Sequence, residues 1–152
     1  MRGITFKLRN EYSNFLYKIF YGVEVNDFIW SIGDNEIIYK DKDNNLNTSI
    51  FFSDVISGTE FLRCIQLNEY YLVFADIKAF KNGSQITNIS SYEEFIDSDC
   101  EMALFCTDSE EIEFYCKDMK VLKQVINNCN QFAFKDSQML TEETDGRLNF
   151  SL

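Results

Sequence analysis

Apolar and polar positions alternate with a period of two over residues 3–8 (Gly-Ile-Thr-Phe-Lys-Leu), the pattern of a half-buried strand. From Tyr12 the period changes. Tyr12, Phe15, Leu16, Ile19 and Phe20 follow the spacing of three and four that lays one apolar stripe along a helix. Asn10 stands where a cap is wanted, and Gly22 where a left-handed residue closes the last turn. Two short β-like runs follow at 28–32 and 36–40, divided by the turn-formers Gly33, Asp34 and Asn35. Ser57 and Glu60 have capping-box spacing and predict a short helix with Phe61, Leu62 and Ile65 turned inward. Residues 70–80 are almost continuously apolar, which predicts a central strand covered on both faces. Asn82-Gly83 marks a turn, and Ser91 with Glu94 repeats the capping-box spacing before a helix of two turns at most.

In the second half, residues 100–107 and 111–117 read as a hairpin around Asp108, Ser109 and Glu110. Cys100, Met102, Leu104 and Cys106 share one face of the first strand; Ile112, Phe114 and Cys116 share one face of the second. Keeping both sets on the same side requires an odd loop, so Leu104 should oppose Phe114 and Glu101 should oppose Lys117. Asp118 then caps a helix carrying Val121, Leu122, Val125, Ile126 and Cys129 on one side. Asp145-Gly146 predicts a tight turn before a last alternating run, Leu148, Phe150 and Leu152. Strands joined by hairpin-length connections, without regular β-α alternation, predict an α+β fold. The expected architecture is a mainly antiparallel sheet with helices packed on one face, forming a single globular domain over residues 1–152.

Composition sharpens this picture at two points. Fifteen Phe and eight Tyr make the expected core aromatic. The five cysteines, at 64, 100, 106, 116 and 129, are odd in number and contain no C-x-x-C pair, so they read as small buried hydrophobes rather than a zinc site. Reduced thiols point to the cytoplasm. Arg2, Lys7, Arg9 and Glu11 interrupt any leader-like apolar core, and no apolar run approaches the ~20 residues of a membrane span.

The chain has no histidine, the commonest general base and transition-metal ligand. Phosphate-loop, dinucleotide-binding and nucleophile-elbow motifs are likewise missing. Asp41-Lys42-Asp43-Asn44-Asn45 resembles the start of a calcium loop. Leu46 occupies the sixth position, where glycine is needed, and Phe52 the twelfth, where glutamate belongs, so a solvated loop is expected. No catalytic residue, metal-ligand set or cofactor is assigned.

Charge supplies the candidate surface. The formal net charge is −11, and between Lys81 and Lys117 there is no basic residue but there are nine carboxylates. Such a field repels nucleic acid and anionic membranes and steers cationic partners. Glu93 and Glu94 suit the first turn of a helix, and Glu101 suits Lys117. What remains is Asp108, Glu110, Glu111 and Glu113 at the hairpin tip, a candidate binding surface for a basic protein partner. The expectation is a non-enzymatic binding module acting in the manner of an inhibitor or immunity protein. Two alternatives differ in class: a metal-assisted hydrolase using Asp99, Glu101 and Glu113 with Tyr115 beside them, and a structural subunit of a homo-oligomer. Asp76 interrupts the apolar central strand, which predicts either an ion pair with Lys78 on the same face or a polar anchor inside a pocket.

Met1-Arg2-Gly3-Ile4, Asn10-Glu11-Tyr12, the run Tyr70 to Ala79, Ser98-Asp99-Cys100-Glu101, Glu113 to Asp118 and Gly146-Arg147 carry a resemblance that spans nearly the whole chain. On these residues the protein resembles an uncharacterised family of small single-domain bacterial proteins, mostly from Gram-positive spore formers, classed as a domain of unknown function. The resemblance implies no activity, substrate or cofactor.

Overall fold

All the strands join one antiparallel sheet in the computed structural model, which describes residues 1–152. They are β1 (Gly3–Lys7), β2 (Phe28–Lys40), β3 (Leu46–Asn47), β4 (Val55–Ser57), β5 (Tyr71–Lys81), β6 (Cys100–Thr107), β7 (Glu111–Cys116) and β8 (Lys135–Leu140). Their order across the sheet is β3-β2-β5-β6-β7-β1-β8, with β4 pairing the flank of β2. Four helices accompany them: α1 (Phe15–Ile19), α2 (Gly58–Ile65), α3 (Tyr92–Asp97) and α4 (Met119–Gln131). The α+β class and the antiparallel sheet agree with the sequence.

The sheet separates two unequal apolar layers. The inner layer buries 32 residues, including Phe15, Leu16 and Ile19 of α1, Phe61 and Ile65 of α2, and Leu122 and Val125 of α4. The outer layer buries nine, among them Phe95 of α3, Phe105, Tyr115 and Phe150. Three helices therefore pack on one face as expected, while the short α3 lies on the other. The inner layer is locked by polar groups that end inside it. The Tyr70 hydroxyl accepts the Leu16 amide at 2.9 Å and donates to the Ile65 carbonyl at 3.0 Å, joining α1 to α2. Trp30 stacks on Phe61 at 3.7 Å and gives its indole N–H to Val25.

Local signals mostly hold. The Ser57 and Ser91 hydroxyls accept the amides of Glu60 and Glu94, and Asp118 caps α4 through the Lys120 amide. Leu104 opposes Phe114, and the Lys117 amide donates to the Glu101 carbonyl at 3.1 Å.

Elsewhere the structure corrects the sequence reading. α1 begins at an uncapped Asn14, not at Asn10, because Ser13 forms a β-bridge with Tyr70 and Tyr12 stays half exposed. Residues 28–40 form one strand rather than two. β5 pairs with both halves, and the pairing absorbs Gly33, Asp34 and Asn35 as an irregularity between Ile32 and Asn35. A register shift at Ala79/Phe80 turns Cys100 into the outer layer, away from Met102 and Leu104. The late turn falls at Thr141–Thr144, and the following residues form no strand: Phe150 is buried whereas Leu148 is 88% exposed.

Candidate functional site

The hairpin tip is a three-residue turn held in an unusual conformation. Asp108 and Ser109 both have positive φ, 50° and 68°, a region that disfavours residues bearing a Cβ. Two backbone hydrogen bonds hold it there. The Ser109 amide donates to the Val73 carbonyl of β5 at 2.9 Å, and the Leu8 amide donates to the Glu110 carbonyl at 2.8 Å. Asp108 and Glu111 are exposed and Glu110 half-buried, and none of the three belongs to any of the seven ion pairs in the fold.

Glu113 has a different setting. Register puts Phe105 opposite Glu113 across β6–β7, and Asp76 opposite Phe105 across β5–β6. Asp76, Phe105 and Glu113 thus form one row on the outer face. Arg147, from the segment after β8, lies on that row. Its Nε and Nη2 donate to Glu113 Oε1 at 3.2 and 2.7 Å, and its guanidinium lies 4.1 Å from the Phe105 ring centre. Its Nη1 donates to the carbonyls of Asn149 and Ser151. The result is a strap of chain over the sheet, pinned further by Phe150 and by Asp145. The buried Asp145 carboxylate accepts the Tyr115 hydroxyl at 2.7 Å and binds Arg2 at 3.1 Å. Burial, followed by this carboxylate, pushes the Tyr115 hydroxyl well above the usual tyrosine range.

Of the four predicted tip residues, Asp108, Glu110 and Glu111 form no ion pair, whereas Glu113 is paired with Arg147. The Asp99, Glu101 and Glu113 grouping is not formed. Glu101 pairs with Lys117 at 3.9 Å, and Glu113 lies four positions along β7 from that lysine, about 13 Å at the rise of a strand. No three thiol or carboxylate side chains anywhere converge as metal ligands. The Asp41 carboxylate, at the head of the calcium-like loop, accepts the amides of Asp43 and Asn45 and the Asn47 side chain. The Asn45 amide, then Asn47, holds its carboxyl below the usual range.

Asp76 and Lys78 meet both sequence readings at once. They form a buried ion pair at 2.6 Å on the outer face of β5, and they line a cavity of about 300 Å³ together with Ser31, Gly33 and Asn88. Seven of the nine acids between Lys81 and Lys117 lack an ion pair, and they fall in two groups: the tip, and the α3 end with Glu93, Glu94, Asp97 and Asp99. Sequence reasoning missed Arg147, Phe105 and Asp145. Asp145-Gly146-Arg147 carries only a turn signal, and nothing local indicates that Arg147 reaches Glu113.

A curated relative, the "Uncharacterized protein YncE" of Bacillus subtilis (strain 168), is 33% identical over 153 residues, covering 99% of this chain and 99% of its own length. No solved structure matches. Residues 1–151 match the family described as "Protein of unknown function (DUF2691)", and on that match and that relative the chain belongs to the DUF2691 family.

Proposed function

We propose that this protein is a binding module that engages a basic protein partner through the β6–β7 turn, with Asp108, Glu110 and Glu111 as the contacting acids and Glu113 acting only through its hold on Arg147. The observation that carries this reading is an acidic turn without ion pairs whose backbone is anchored by two hydrogen bonds. A flexible acidic loop loses conformational freedom on binding, whereas this one is already fixed by the Val73 and Leu8 hydrogen bonds. Two consecutive left-handed residues with side chains are costly to hold, and strain of that kind gathers at sites of recognition. Unpaired acids on a fixed support also accelerate encounter with a cationic surface.

The test is affinity capture from cell extract at low and at high salt with three forms of the protein. One is unaltered, one carries Asp108→Lys, Glu110→Lys and Glu111→Lys, and one carries Glu93→Lys and Asp97→Lys at the other acidic end. The expected result is a partner retained by the unaltered and α3-reversed forms, released by salt, and lost from the tip-reversed form. Retention by the tip-reversed form, or loss only from the α3-reversed form, overturns the assignment.

A further inference from the structure

The Asp76–Lys78 pair is less complete than a structural ion pair needs to be. A buried pair is tolerated when further hydrogen bonds satisfy its remaining lone pairs and protons. Here the carboxylate gives Oδ1 to Lys78, and Oδ2 accepts nothing from the protein. The ammonium makes that single hydrogen bond out of three available and otherwise faces the Phe105 ring at 5.1 Å. Yet the fold contains no enclosed side-chain polar atom without a partner. Oδ2 is therefore not enclosed, and both residues of the pair line the adjoining cavity.

That cavity has the character of a small-ligand site. Its volume of about 300 Å³ lies at the lower end of the range for ligand pockets. Ser31, Thr87, Asn88 and Ser151 add neutral polar groups, while Ile89 and Phe150 contribute apolar surface. Gly33 keeps the carboxylate in place, since a Cβ there would come within 3.0 Å of both Asp76 Cγ and Oδ2.

We propose that this cavity binds a free α-amino acid. Its carboxylate would accept from Lys78 and its ammonium would donate to Asp76 Oδ2, two charge-assisted hydrogen bonds on groups two residues apart on one strand. A ligand bearing only one of these charges would leave half of the pair unmatched. The inference is independent of the proposed partner surface, because none of Asp108, Glu110 and Glu111 lines this cavity.

The experiment is a calorimetric titration and thermal-melt panel of the whole chain with the twenty amino acids at millimolar concentration. Propionate and ethylamine serve as single-charge controls. The expected result is saturable binding and a rise of a few degrees in melting temperature for at least one amino acid and for neither control. Two variants are titrated alongside. Asp76→Leu with Lys78→Met removes both charges without orphaning either, and Thr87→Trp fills the cavity mouth while leaving the pair intact. Both are expected to weaken binding at least tenfold. An absence of saturable binding across the panel, equal binding of propionate, or undiminished binding by the folded Thr87→Trp protein overturns the proposal.

Discussion

Arg147 binds Glu113 through two of its nitrogens, across 34 positions of sequence, and so clamps the segment after β8 onto the outer face of the sheet. The pair is largely shielded, with the arginine side chain 12% and the glutamate 26% exposed. It therefore retains more strength than a surface ion pair of the same geometry.

Replacing Arg147 by alanine removes the ion pair, the contact with Phe105 and two carbonyl contacts within the strap. The expected loss is about 1–3 kcal/mol in urea unfolding. Hydrogen exchange should accelerate in residues 145–152 ahead of the strands. Glu113→Gln, which keeps an acceptor, should cost less. Unchanged exchange in the strap would show that Phe150 and Asp145 suffice to hold it.

The glycines give a paired test. A Cβ on Gly3 would lie 1.8 Å from the Phe114 carbonyl oxygen, whereas one on Gly146 meets nothing within 4 Å. Gly3→Ala should therefore cost more than about 3 kcal/mol by displacing β1 from β7, and Gly146→Ala should stay within about 0.5 kcal/mol. Equal unfolding midpoints for the two variants would contradict the close approach.

The thiols set an alkaline limit. Burial pushes Cys100, Cys106, Cys116 and Cys129 from 9.0 up to about 12. Between those values the unfolded chain releases protons that the native chain retains, so the thiols leave stability unchanged below about pH 9 and lower it as pH rises towards 12. The slope approaches about 1.4 kcal/mol per pH unit for each thiol. Urea midpoints at about pH 8 and about pH 10 measure it, and a thiol reagent at about pH 8 should find no fast-reacting cysteine in the native protein. A rapid thiol, or a midpoint that does not fall, would count against this burial.

What the sequence made legible was whatever rests on local geometry. The caps at Ser57, Ser91 and Asp118 follow from backbone amides a few residues away, and the Leu104–Phe114 register follows from the parity of one short loop. Tertiary pairing hid the rest. The Gly33-Asp34-Asn35 signal for a turn lost to nine residues of β5 that pair with β2 on either side of it. β8 gave no alternation because Leu140 is its one buried residue. The candidate site was legible at Asp108, Glu110 and Glu111, and in the Asp76–Lys78 pair, which share a face at two-residue spacing. It was not legible at Arg147, whose partner is set by a chain crossing rather than by any periodicity.

The position of β1 between β7 and β8 bears on how the protein folds. Gly3 pairs with Tyr115 and with Leu140, so the first strand closes loops of more than about a hundred residues on both sides. Contacts of such long range slow the search for the native state. During synthesis, Ile4, Phe6 and Leu8 must wait without a sheet partner until β7 has emerged, about five to twenty seconds at ordinary elongation rates. That interval, more than anything in the finished sheet, is when the chain is open to misassembly.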